Sequence, residues 1–199
     1  MFSKLFGKKP RPIPAYAKIN ARLQPKGRGD LFEDPLAERL EKANLGAVTG
    51  GGSMLGQNGE IQYCGIDIDM YDAERSPAFI CDALNRRGAP KGSELQFTLD
   101  SRKVVVPFGE AEGLAVYLNG TDLPDEVYKT CDLNVVTDAL NSLVEPPEGG
   151  GGNVIEIWHG PTETAIYMLG VSSQMMRAAI APFLAEYPLC QRARVVETA

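Results

Sequence analysis

The stretch AVTGGGSMLGQNGEIQYCGIDIDMY, residues 47–71, decides how this chain folds. At its centre Asn58-Gly59 has the residue types of a tight hairpin turn, because both central positions of such a turn need a positive φ. On the C-terminal side Ile66, Ile68 and Met70 alternate with Asp67 and Asp69, the period of a half-buried strand. The stretch therefore reads as two antiparallel strands, with Tyr63, Asp67 and Asp69 on the outward face.

Working outward from this hairpin, each flank supplies a strand and a helix. From Tyr16, Ala17, Ile19, Ala21 and Leu23 alternate with Lys18, Asn20 and Arg22. QPKGRGDLFE (24–33) reads as a loop, Asp34 as an N-cap with Pro35 at the first helical position, Leu36 and Leu40 as one helix face, and Gly46 as a stop. Beyond Tyr71, Ser76-Pro77 opens a helix containing Phe79, Ile80, Ala83 and Leu84, Gly88 closes it, and SELQFTL (93–99) returns as a strand. The order is β-α-β-β-α-β.

The second half repeats that order. GLAVYLNG (113–120) is a strand, and Asp132 caps a helix over DLNVVTDALNSLV (132–144). NVIEIWHG (153–160) and TAIYMLG (164–170) form a hairpin, SSQMMRAAIAPFLAEY (172–187) is a helix bent at Pro182, and RARVVET (192–198) is the last strand. RKVVVPFGEAEG (102–113) lies between the copies as an extra strand hairpinned through DSRK. The expectation is an α+β protein of two tandem ferredoxin-like modules with an extra linking strand: a basic arm over 1–14, a first module over 15–108 and a second over 109–199. Right-handed crossovers place both helices of each module on one sheet face and leave the other face uncovered.

Composition bounds the function. Hydrophobic residues make up 44% and charged residues 23% of the 199, an ordinary balance for a soluble globular chain. No apolar run suffices to span a bilayer and no secretory signal opens the chain, so a cytoplasmic location is expected. Cys64, Cys81, Cys131 and Cys190 stand singly, with one histidine in the chain, which points away from a zinc site, a disulfide framework or any cofactor. Lys4, Lys8, Lys9, Arg11, Lys18, Arg22, Lys26 and Arg28 all precede the first acid, Asp30, whereas the second half is acidic and disfavours nucleic acid. Phe2, Leu5 and Phe6 among the lysines allow weak contact of the arm with an anionic membrane surface.

The uncovered faces carry the functional candidates. On the second module the alternation places Tyr117, Trp158 with Glu156, and Tyr167 on one face, with His159 just past Trp158 and Glu163 across the Gly160-Pro161 turn. Tyr117, Trp158, His159, Glu163 and Tyr167 form the candidate recognition surface, because exposed aromatics offer contact area at low entropic cost. The leading expectation is a non-catalytic binding or regulatory protein that recognises a protein partner or a small effector through open sheet faces or the cleft between modules. The competing class is a small-molecule enzyme with a pocket at the module junction, using a general base assembled from His159 with Glu163. Open sheets need covering, by the other module or by a homodimer.

The plan also resembles the RNA-recognition motif, on the element order and on VYLNG (116–120), with Tyr117 as the stacking residue. The resemblance implies RNA binding across the open sheet. TAIYMLG lacks the basic and doubly aromatic pattern that family uses on its third strand. Neither TGGGS nor EGGGGN has the adjacent Lys-Ser/Thr pair of a phosphate loop or the spacing of a dinucleotide turn.

Overall fold

The computed structural model describes residues 11–199, so most of the basic arm expected over 1–14 lies outside the described residues. The first module runs β1 (Ile13–Ile19), α1 (Pro25–Arg28), a π-helical turn (Gly29–Glu33), α2 (Asp34–Ala43), β2 (Gly46–Leu55), β3 (Ile61–Met70), α3 (Ser76–Asn85), β4 (Ser93–Leu99) and β5 (Arg102–Phe108). The second runs β6 (Glu112–Asn119), α4 (Asp125–Thr130), α5 (Leu133–Val144), β7 (Asn153–His159), β8 (Glu163–Gly170), α6 (Ser173–Glu186) and β9 (Arg194–Glu197). Strand orders are β2-β3-β1-β4-β5 and β7-β8-β6-β9, all neighbours antiparallel. Both are the ferredoxin-like order, and β5 is the extra strand, hairpinned onto β4 through Asp100 and Ser101 at φ 48° and 64°.

Each module buries its own core between sheet and helices. Ala17, Ile19, Ile66, Ile68 and Leu95 meet Leu36, Leu40, Ile80 and Leu84 in the first, and Leu114, Val116, Ile166 and Met168 meet Val136, Leu140, Met176 and Ile180 in the second. The hairpin forms where it was read but closes with a longer turn: Gly56 N–H donates to the Glu60 carbonyl and Gly59 N–H to the Gly56 carbonyl, and of the Asn58-Gly59 pair only Gly59 takes a positive φ, 80°. Asp132 caps α5 by accepting the backbone N–H of Asn134, and Ser172 caps α6 by accepting from Met175. Asp132→Ala should lower stability by about 1 kcal/mol, read as a shifted urea midpoint at unchanged slope.

The loop expected over 24–33 is helical instead, and Asp34 lies inside the helix rather than capping it. Pro25 starts α1 and the chain winds without a break to Ala43, leaving Asn44 in the left-handed conformation at the C-terminal end. Arg28, Phe32, Leu36 and Leu40 are all buried along it. Positions spaced strictly by four drift around a helix of 3.6 residues per turn, and the wider π turn offsets that drift. The Arg28 guanidinium pairs with Glu33 at 3.1 Å and donates to Ser53 Oγ. Both charged groups sit where a Cβ on Gly51 would stand, so the glycines of β2 make room for a buried ion pair. Helix α4 was not anticipated.

Among the described residues no helix is long and apolar enough to cross a membrane. The four cysteines are unpaired. Burial raises the Cys64 thiol to about 12 and those of Cys81 and Cys190 to about 11. These three thiols should therefore resist a thiol reagent at pH 8 until the chain is unfolded in urea, which mass-resolved labelling would show.

Candidate functional site

Register puts three aromatic side chains on the helix-free face of the second sheet. Ala115 pairs with Tyr167, Tyr117 with Ala165, and Trp158 with Ala165 from the other side. Tyr117 and Tyr167 meet edge to face at 6.3 Å, and Trp158 packs against the same cluster with its ring lying over Gly160. This face is not open. Tyr117 is 5% and Tyr167 3% exposed, because the first module closes over them.

The closing group is Glu60, the residue between the Asn58-Gly59 turn and β3. Its Oε1 accepts the hydroxyl hydrogens of Tyr117 at 2.5 Å and Tyr167 at 2.6 Å, and Asn58 donates to Oε2 at 3.3 Å. Arg22 Nε lies 3.5 Å from the same Oε1, with its guanidinium 5.8 Å from the Tyr167 ring centre. Burial by itself would raise the Glu60 carboxyl, but the hydrogen bonds from Tyr117, Tyr167 and Asn58, with the Arg22 charge, outweigh it and hold the group below its ordinary range. Burial first, and donation to Glu60 second, push both phenols up. Further ties run alongside: Gln24 N–H donates to Glu156 at 2.9 Å, Asn20 Nδ2 to the Thr198 carbonyl at 3.3 Å, and Ile155 and Leu169 pack onto the first core.

Of the residues singled out in the sequence, Tyr117, Trp158 and Tyr167 are brought together. Glu163 joins them through Arg194, whose guanidinium stacks 3.8 Å from the Tyr117 ring centre and grips the Glu163 carboxylate at 2.9 and 2.8 Å. Hydrogen bonding to Arg194 lowers the Glu163 carboxyl. His159 stands apart: it is exposed, and its Nδ1 has Thr164 Oγ1 at 3.4 Å. Glu60, Arg22 and Arg194 were missed. On the first sheet's helix-free face, Lys18 pairs across strands with Glu94 at 3.8 Å and sits 4.8 Å over Tyr63.

On another side of the junction the modules leave a cleft of about 830 Å³. Leu31, Ile155, Leu169 and Val171 give it an apolar floor and lip, and Asp30, Asn85, Arg87 and Glu110 supply polar groups at its rim. Gly151, from the second glycine-rich run, lines it as well. Val171 is 77% exposed at the lip. Among the described residues no cluster of His, Cys, Asp and Glu is arranged to hold a metal ion.

No family model matches the chain, and no curated protein matches it. Solved structures that align with it include an unknown protein from Galdieria sulphuraria at 12% identity, covering 94% of this chain and 97% of that one with a TM-score of 0.27. The first two RRM domains of yeast poly(U) binding protein align at 11% identity over 93% and 99%, TM-score 0.26. A candidate monooxygenase from Lactobacillus acidophilus aligns at 10% over 96% and 95%, TM-score 0.30. At these scores the likenesses say nothing about function, and the two tandem ferredoxin-like modules stand on their own strand order.

Proposed function

We propose that this chain is a non-catalytic binding and regulatory protein that holds a small effector in the cleft between its modules, with residues 15–108 as one module and 109–199 as the other. The observation that carries this reading is the 830 Å³ cleft itself, walled by both modules and floored by apolar side chains, a size and lining typical of ligand sites. The Glu60 clamp supports it by fixing one module against the other, so that the cleft is formed before a ligand arrives. The open-face alternative loses support because Tyr117 and Tyr167 are covered by the chain's own Glu60. An RNA reading loses support for the same reason, since stacking needs an exposed ring.

The enzyme alternative is less favoured. Glu163 is engaged by Arg194, His159 is exposed at a turn and does not line the cleft, and among the described residues the lining contains no His, Cys, Ser, Thr or Lys, which leaves the carboxylates of Asp30 and Glu110 with no nucleophile or relay partner beside them.

The test is a thermal-stabilisation screen against metabolites on the native chain and on Val171→Trp, which crowds the lip at an exposed position. A compound that raises the melting temperature of the native chain and has at most a small effect on the variant supports the cleft. Stabilisers that act equally on both would overturn it.

A further inference from the structure

We infer that the cleft takes a zwitterion with an apolar body, a short apolar peptide with free ends, and that Arg87 binds its carboxylate while Glu110 binds its ammonium. This inference rests on the cleft reading above and adds the ligand's chemistry to it.

Arg87, on the turn after α3, donates its Nε to the Leu31 carbonyl at 3.0 Å, which holds the guanidinium against one wall of the cleft. Among the described residues its two terminal nitrogens carry no hydrogen bond or ion pair. Those nitrogens are the half of a guanidinium that can grip a carboxylate. Glu110 is anchored through its backbone, its N–H donating to the Ala89 carbonyl at 2.9 Å, and among the described residues its carboxylate has no partner. Of the other polar side chains in the lining, Asp30 pairs with Lys26 at 3.2 Å, Asn85 Oδ1 accepts the Gly109 N–H at 2.9 Å, and Asn153 is neutral.

The lining thus offers one uncommitted cation and one uncommitted anion beside an apolar floor. A simple apolar acid would answer Arg87 but bring its charge toward Glu110. A neutral apolar molecule would cover both charges and satisfy neither. A zwitterion answers each with its opposite. The volume exceeds what one amino acid fills and suits two or three residues, whose apolar side chains would lie on Ile155, Leu169 and Val171.

The experiment uses four probes with the full chain, by calorimetric titration at low salt: trileucine, its N-acetyl form, its C-terminal amide, and the doubly blocked peptide. Trileucine should bind best, and each block should weaken it by about fivefold, the size of one partly exposed charged contact. Arg87→Gln should erase the preference for acid over amide while keeping the preference for free over acetylated amine, and Glu110→Gln should do the reverse. Both side chains are exposed, so both variants should fold. Val171→Trp should weaken all four probes. If the four bind alike and Val171→Trp weakens them all, the zwitterion is overturned while the cleft stands. If they bind and Val171→Trp changes nothing, both readings fall. If none binds, the ligand class is overturned and the cleft is judged by the stabilisation screen alone.

Discussion

Glu60→Ala should cost about 3–5 kcal/mol, lowering the melting temperature of a chain this size by roughly 10 °C or more. The substitution strips three groups at once. The Tyr117 and Tyr167 hydroxyls lose the one acceptor the structure gives each, and both rings are sealed from water that could replace it. Arg22, whose Nε has no hydrogen bond of its own, loses its counter-charge in a site where its side chain is only 19% exposed. Phenylalanine at Tyr117 or Tyr167 should be far milder, because it removes donor and need together and leaves Glu60 its remaining donors. Glu60 joins the modules, so its loss should also separate their unfolding. Urea curves followed by Trp158 fluorescence, which reports the second sheet, should part from those followed by far-ultraviolet circular dichroism. Coincident curves with a midpoint near that of the native chain would show that the clamp contributes little.

The same residue shapes the acid limb of stability. Its folded carboxyl lies below its ordinary value, so its contribution is complete above the usual glutamate range and disappears as pH falls through the lower, folded value. Glu112 behaves alike: the Lys91 ammonium, then the backbone N–H and hydroxyl of Ser173, bring its carboxyl down to about 2. Glu60→Gln keeps an acceptor for the phenols and removes the titration, so the variant's loss of stability relative to the native chain should shrink as pH falls from 5 toward 2.

What could be read from the sequence divides along local and distant signals. The β-α-β-β-α-β order was legible because each element announces itself within a few residues: Asn58-Gly59 at one turn, Ser76-Pro77 and Asp132 at helix starts, two-residue alternation in β1 and β3. The α1 segment announced nothing, since Gly27 and Gly29 amid charges read as a loop. Its helix is held by tertiary burial of Phe32 and of Arg28 against Gly51, and Gly51 is far away in sequence. The aromatic face was legible from period two alone. Its covering was not, because Glu60 lies 57 and 107 residues from the tyrosines it binds, and a glutamate just after a turn reads as solvated. A carboxylate reveals such a role only when the fold brings its donors to it.

Gly109→Ala should cost about 3 kcal/mol or more, and a comparison with Gly88→Ala isolates the reason. Both glycines have positive φ, 78° at Gly88 and 100° at Gly109. A Cβ at Gly88 would meet nothing within 4 Å, so that variant should bear only the conformational cost of a left-handed alanine, about 1 kcal/mol. At Gly109 a Cβ would overlap the Pro90 carbonyl oxygen and stand 3.1 Å from the Lys91 nitrogen, both backbone atoms that cannot rotate away. The φ of 100° also lies outside the narrow left-handed basin that alanine tolerates. Relief requires moving the 109–111 strap off residues 89–91, where Lys91 N–H donates to the Ala111 carbonyl and Glu110 and Ala111 donate to Ala89. That strap is the covalent joint between the modules and carries Glu110 to the cleft. Gly109→Ala should therefore weaken trileucine binding as well as stability, whereas Gly88→Ala, despite lining the same cleft, should leave the discrimination between free and acetylated peptide intact. Equal stability losses in the two variants would mean that the joint yields without strain and that the module arrangement is set by the Glu60 clamp alone.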